Sequence, residues 1–310
     1  AALRPGREGM PRVRWLEVRG GDRNIGATAV PLDLAPILRE DLFRRVETAV
    51  VTSATLSVGD GFGFITRRLG LDDEALEPVT ASLASPFDYP RQAMLLIPSD
   101  FPPPNTDGAA HLRRTVEACA DVIDAAQGGV FLLFTSHRDV REAARALRER
   151  GVEGRFPVLV HGEAPRDELL RRFREHGDAV LVGTASFWEG VDVPGRALRG
   201  MVIAKIPFRV PTEPMTAAQC EAIEAAGGDP FGEYMIPHAA LRLKQGFGRL
   251  IRTAADRGTV VICDPRVVTK SYGRRLTEGL PPATRLQGPW AMLREELRAF
   301  YEREPSKLPG

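Results

Sequence analysis

Cysteine is scarce in this sequence: Cys119, Cys220 and Cys263 are the three in 310 residues, and none is near another. That spacing excludes a clustered zinc motif and a disulfide framework. Isolated reduced cysteines are the usage of a cytoplasmic protein. Long hydrophobic runs are missing too. The longest, such as 130–134 and 260–263, have strand length, so no segment reads as a membrane-spanning helix. The opening stretch AALRPGREGM holds no apolar core of a secretory signal and does not begin with Met, so the chain reads as a fragment. Charge of one sign is also lacking, since 42 basic residues stand against 41 acidic ones. No basic tail advertises a polyanionic partner. Lysine occurs only at Lys205, Lys244, Lys270 and Lys307. The remaining basic residues are Arg, which either suits bidentate phosphate contacts or reflects a bias of the whole composition.

What is present is globular composition, 43% hydrophobic and 27% charged, enough for one large domain or two smaller ones. No internal repeat is visible. Residues 1–12 read as loose, and the proline-rich stretches 97–105 and 279–289 as extended. Between 128 and 281, short apolar runs alternate with amphipathic segments. The runs 129–134, 156–160, 179–184, 200–206 and 259–264 have the character of buried parallel strands. The segments 138–150, 165–176, 216–226 and 237–252 read as helices; in the first, Val140, Ala143, Ala144 and Leu147 share one face. This alternation predicts an α/β fold, a parallel sheet with helices on both faces. Ligands then sit beyond the carboxyl ends of the strands. Residues 13–57 differ. Strands at 13–18 and 26–30, a helix at 34–43 and a strand at 48–56 are too few for a domain alone.

The candidate chemistry lies mostly at strand ends. Thr135, Ser136 and His137 follow the run 129–134, and Thr184 closes the run 179–184. Beyond Thr184 come Ser186, Phe187, Trp188, Glu189, Gly190 and Asp192. Hydroxyls and backbone N–H groups at such ends suit a phosphate. Phe187 and Trp188 are either a base-stacking platform or one core ring beside a partly exposed one, core packing being the plainer reading for Phe187. Asp192 is either a hydrogen-bond acceptor for a ligand or an N-cap. On the segment 237–252, Gln245, Arg249 and Arg252 fall at offsets of four and three, which places them on one helix face. Gly246 and Gly248 weaken a helix interior by about 1 kcal/mol each and so suggest a close approach. Two arginines and a glutamine on one face suit a triphosphate. A solvated basic face is the plainer reading, but QxxGRxxR is more specific than RxxR.

These segments together resemble the DinG/XPD-like group of superfamily-two helicases. QGFGRLIR (245–252) resembles motif VI, GTASFWEGVDVPG (183–195) motif V, TSATL (52–56) motif III and FLLFTSH (131–137) motif IV. SPFDYP, IPFRVPTEP and VVICDPRVVTKSYG follow in the same order, so the resemblance covers about residues 13–282. It implies a motor of two RecA-like lobes, with ATP and Mg2+ in the cleft and single-stranded DNA crossing both. On this likeness residues 1–57 are the tail of the first motor domain and 58–84 a connector. Residues 85–285 are the second RecA-like domain, and 286–310 a C-terminal helix and tail. Arg252 would be the arginine finger, with Arg249 beside it and Gln245 positioning water or phosphate. Asp192, Glu189, Gly190 and Gly248 would border the nucleotide. Thr135, Ser136, His137, Thr184, Ser186 and Trp188 would meet DNA, and Ser53 and Thr55 would couple the two events. His161-Gly162 stands where the group usually has Gln-Gly, which leaves the role of His161 open.

No GxxxxGK[ST] occurs, so a phosphate-cradling loop and its Lys are lacking. The run Asp72-Asp73-Glu74-Ala75 looks like a nucleotide-site box, but it follows a helix end and reads as a turn. The four cysteines of an iron–sulfur domain are not here either. The expectation is therefore a motor lobe that hydrolyses ATP only within a longer protein, a monomer whose partners are ATP and DNA. A non-catalytic nucleic-acid-binding module is the alternative. A metallohydrolase built on His137, His161 and Glu163 is disfavoured by their spacing.

Overall fold

The structure, a computed structural model, describes residues 10–19, 24–57, 61–184, 187 and 197–303. The chain divides into two units. One joins the segment up to Leu83 with Phe208–Leu241; the other joins Ala84–Pro207 with the chain from Arg242 onward.

In the first unit, β1 (Arg12–Arg19) and β2 (Asn24–Pro31) pair antiparallel. The Asp33 carboxylate accepts the N–H of Ala35 and opens the helix Ala35–Asp41. The helix Gly63–Leu69 stops at Gly70, whose φ of 72° is left-handed; a Cβ there would stand 2.3 Å from the Ala35 carbonyl oxygen. Asp73 then caps the 3-10 turn Glu74–Leu76, while Asp72 and Asp73 pair with Arg39 and Arg44. The acidic run is thus a helix end and a turn, as its context in the sequence indicates. The helix Pro214–Ala225 packs on β1, and Gln219 donates to the Leu32 carbonyl. The expected strand at 48–56 is not formed: its residues are irregular and Val50 is 84% exposed. No described strand lies beside it to complete a ladder.

The second unit holds β3 (Ala93–Pro98), β4 (Val130–Phe134), β5 (Val158–Val160), β6 (Val180–Thr184), β7 (Gly200–Ile203), β8 (Gly258–Ile262) and β9 (Thr284–Gly288). All pair in parallel in one seven-stranded sheet, ordered β5-β6-β4-β7-β8-β3-β9. Strand periodicity divides the apolar side chains between two faces. Val130, Leu132 and Phe134 join the core formed with the helices Gly108–Ala126, His137–Glu149 and Trp290–Glu302. Phe131 points the other way, onto Phe173 of the helix Arg166–His176, with ring centroids 4.6 Å apart. Helices therefore cover both faces, and the α/β class expected from the alternation is the class observed. β3 and β9 arise inside or beside the proline-rich stretches. β9 lies past the expected body of the alternation, yet it pairs with β3 from Met94 opposite Thr284 to Pro98 opposite Gly288. Among the described residues no helix is long and apolar enough to cross a membrane.

The segment 237–252 is not one helix. A π-helical turn, Phe231–Met235, leads into the helix Ile236–Phe247, which ends there. Arg249 N–H then reaches the Gly246 carbonyl and Leu250 N–H the Phe247 carbonyl, tightening the end into three-residue turns. Leu250 and Ile251 are buried and draw the chain inward, and the two glycines weaken continuation of the helix. Gln245 is helical, whereas Arg249 and Arg252 belong to the turn and loop beyond, so the three do not share a helix face.

Candidate functional site

Because every strand of the sheet runs the same way, the chain offers two distinct edges. At the carboxyl edge, Thr135 and His137 are exposed and Ser136 caps the helix His137–Glu149 by accepting the Asp139 N–H at 3.0 Å. The Asp139 carboxylate pairs with Lys205, which follows β7, at 2.8 Å. This ties the exits of β4 and β7 together. His161, after β5, bonds Thr184 Oγ1 through Nδ1 at 3.1 Å. Its ring stands 4.5 Å from that of His137 and 4.9 Å, edge-on, from Phe187. Phe187 is fully buried, a core ring. The turn after His161 is held by Arg148, which grips Glu163 with two bonds of 2.9 and 3.0 Å. Burial, and then the positive charges of His137 and Arg166, hold the His161 imidazole below its ordinary pKa. The structure thus gathers His137 and Thr184 around His161, with Thr135 and Ser136 adjoining in the chain. Ser186, Trp188, Glu189, Gly190 and Asp192 lie outside the described residues.

The arginine turn stands at the opposite edge. Gly248–Arg252 leads toward the amino end of β8, and Gln92 immediately precedes β3, where Ala93 pairs with Gly258. One oxygen of the Asp256 carboxylate accepts the N–H groups of Arg252 and Thr253, each at 2.8 Å. The Gln92 amide donates to the carbonyls of Thr253, Ala254 and Asp256 at 2.9, 3.2 and 2.9 Å. Burial lowers the Lys244 ammonium below its ordinary pKa beside Gln245. Gly248 is exposed, and a Cβ there would stand 3.3 Å from the Lys244 carbonyl oxygen. At the far end of β8, buried Asp264 accepts the Ile206 N–H at 3.0 Å and pairs with Arg266 at 2.6 Å. Ser53, exposed, and Thr55, half-buried, lie in the other unit, 3.2 Å apart through their hydroxyls. Among the described residues no group of three or more His, Cys, Asp or Glu is placed to hold a metal ion.

Sequence reasoning did not single out Gln92, Asp256, Asp264 or the Lys205–Asp139 pair. Asp256 carried a signal, an acidic turn residue four positions after Arg252. Gln92 carried one as well, a polar residue at the mouth of the apolar run 93–97. The role of Gln92 depends on partners more than 160 positions away, a separation that local pattern does not encode.

Comparison with known proteins gives this geometry its context. An ATP-dependent DNA helicase, YoaA of Escherichia coli, is 41% identical over 271 residues, spanning 87% of this chain and 41% of that protein. An ATP-dependent helicase DinG of Mycobacterium tuberculosis is 38% identical over 275 residues, spanning 87% of this chain and 40% of that protein. The chain thus spans well under half the length of these relatives. An XPD helicase structure aligns over 63% of this chain and 35% of its own, at 15% identity and a TM-score of 0.49. The family described as the helicase C-terminal domain matches residues 119–283, from within the helix Gly108–Ala126 to the residue before β9. With β4 to β8 of the parallel sheet and the QGFGRLIR turn inside that span, this chain belongs to the helicase C-terminal domain family.

Proposed function

We propose that this chain is the C-terminal motor lobe of an ATP-dependent DNA helicase, with a nucleotide edge and a nucleic-acid edge at opposite ends of one sheet. One observation carries the reading: the arginine turn 248–252 enters β8 at the amino edge, while His137, His161 and Thr184 cluster at the carboxyl edge. Hydrolysis of a triphosphate develops negative charge on the transferred phosphoryl oxygens, and a guanidinium brought to them lowers the barrier. Arg252 is that guanidinium in this reading, with Arg249 beside it and Gln245 orienting water or phosphate. Two guanidiniums and an amide fit one side of a triphosphate. The cradle for the other side, and the residues holding Mg2+, would come from a lobe bearing the phosphate loop that this sequence lacks. Asp192, Glu189, Gly190 and Gly248 would border the same nucleotide, and Ser53 and Thr55 would link its hydrolysis to movement on DNA. At the other edge, the hydroxyls of Thr135, Ser136, Thr184 and Ser186, with His137, contact the backbone of single-stranded DNA. Trp188 stacks on a base. Phosphate contacts of this kind give binding that weakens steeply with salt.

The test is ATP hydrolysis by the full-length protein with and without single-stranded DNA, for the wild type and Arg252→Ala. DNA should stimulate hydrolysis, and Arg252→Ala should reduce it about a thousandfold while ATP still binds. Hydrolysis indifferent to DNA and to Arg252 would overturn the motor and leave a non-catalytic binding module. The isolated 310-residue chain should hydrolyse no ATP, and measurable turnover by it would contradict the division of labour.

A further inference from the structure

We infer that Gln92 and Asp256 are positioning residues for Arg252, acting through the backbone of the turn that carries it. The inference rests on the reading of Arg252 as the arginine finger. The turn is fixed at both ends. Leu250 and Ile251 are buried just before Arg252, and after Asp256 a Cβ on Gly258 would stand 2.4 Å from the Arg199 carbonyl oxygen, so that strand entry has no room to shift. Between these points two side chains bind five backbone polar groups. Asp256, 5% exposed, takes the N–H groups of Arg252 and Thr253 on one oxygen. Gln92, 9% exposed, spreads its amide over the carbonyls of Thr253, Ala254 and Asp256. Each device is chemically specific. The Asp256 site needs an acceptor facing two donors, and the Gln92 site needs a donor facing three acceptors.

Such a constraint has a kinetic meaning. Arg252 contributes its own N–H to the cap, so the direction in which its side chain leaves the backbone is set by Asp256, and Gln92 holds the carbonyls of Thr253, Ala254 and Asp256 that follow. A shift of about 1 Å in a charged group aimed at a transition state lowers turnover about 100-fold, with little change in ground-state binding. Gln92→Met preserves length and removes both donors; Gln92→Glu would set a carboxylate against three carbonyls.

The experiment is a double-mutant cycle on the full-length protein, reading DNA-stimulated kcat and KM for ATP in wild type, Gln92→Met, Arg252→Ala and the double variant. Gln92→Met should lower kcat 10- to 100-fold with KM within about twofold, and should cause no further loss once Arg252 is Ala. Equal loss in both backgrounds, or no loss in Gln92→Met, would overturn the positioning role while leaving the finger in place. An Arg252→Ala variant with full turnover would instead remove the functional reading itself. Cooperative thermal unfolding of each variant checks the fold. Should Gln92→Met not fold, the same cycle with Asp256→Asn decides, because the amide oxygen still accepts but no longer carries charge. Its loss of kcat must likewise vanish in the Arg252→Ala background.

Discussion

His161 stands among cations and rings, and its chemistry has a sign. Its pKa in the fold lies below the ordinary 6.5, first because it is buried and then because His137 and Arg166 repel a proton. The unfolded chain therefore takes up this proton at a higher pH than the folded chain does. Stability is full above 6.5 and is lost as pH falls through the depressed folded value. His161→Gln removes the linkage, so the acid side of a plot of thermal midpoint against pH should flatten; an unchanged slope would place the linkage elsewhere. Asp264 makes a second prediction at this scale. It is fully buried and serves both the Ile206 N–H and Arg266. Asp264→Ala should destabilise the chain by about 3–5 kcal/mol in denaturant titrations, because a guanidinium and an amide lose their acceptor together. A loss under 1 kcal/mol would mean that solvent replaces the carboxylate freely.

Among the elements, the helix His137–Glu149 serves packing and site together. Val140, Ala143, Ala144 and Leu147 join the core on one face, and Ser136 caps the first turn. The Ser136 oxygen receives an N–H, but its own hydrogen remains available to a phosphate. Ser136→Ala should therefore lose about 1 kcal/mol of stability. Ser136→Asp caps as well as Ser, yet sets a negative charge at the edge proposed to meet DNA. It should keep its stability while binding single-stranded DNA more weakly, and unchanged affinity would remove Ser136 from the contact set. This element and its neighbours were legible because β4, β6 and β8 are continuous apolar runs. β9 was not, since its residues alternate between half-buried and exposed positions at the sheet edge, and β3 ends in Pro98 within a proline-rich stretch. The strand expected at 48–56 failed for the opposite reason. Its apolar run is real, but a strand takes its stability from a neighbour. The helix expected to reach 252 stopped at Phe247, and with it went the argument from a shared face for Arg249 and Arg252. The residue types proposed to meet a triphosphate stood in the sequence, whereas the groups that hold their backbone did not announce themselves there.

For the molecule as a whole, the two units have unequal means of staying folded. The second unit holds the seven-stranded sheet and the large core, while the first holds a two-stranded antiparallel pair with Leu16, Val18 and Ile25 exposed. A two-stranded ladder is marginal in water, and buried central strands open only with global unfolding. Amide hydrogen exchange should be slowest in β4, β7 and β8 and at least 100-fold faster in β1 and β2. Comparable protection in both would show that the hairpin opens only when the sheet does.

The opposed edges of the sheet have a mechanical consequence. β8 has five fully buried residues and, at about 3.3 Å each, is a stiff rod of roughly 16 Å in a tightly packed interior. A rod of that kind transmits displacement and absorbs little of it. What happens at the arginine turn must reach the strand exits as motion of the whole slab, in the manner of a pawl and not of a spring. On the proposed function, loosening the slab near β7 or β8 should let the engine idle, the full-length protein consuming more nucleotide for each step along its track.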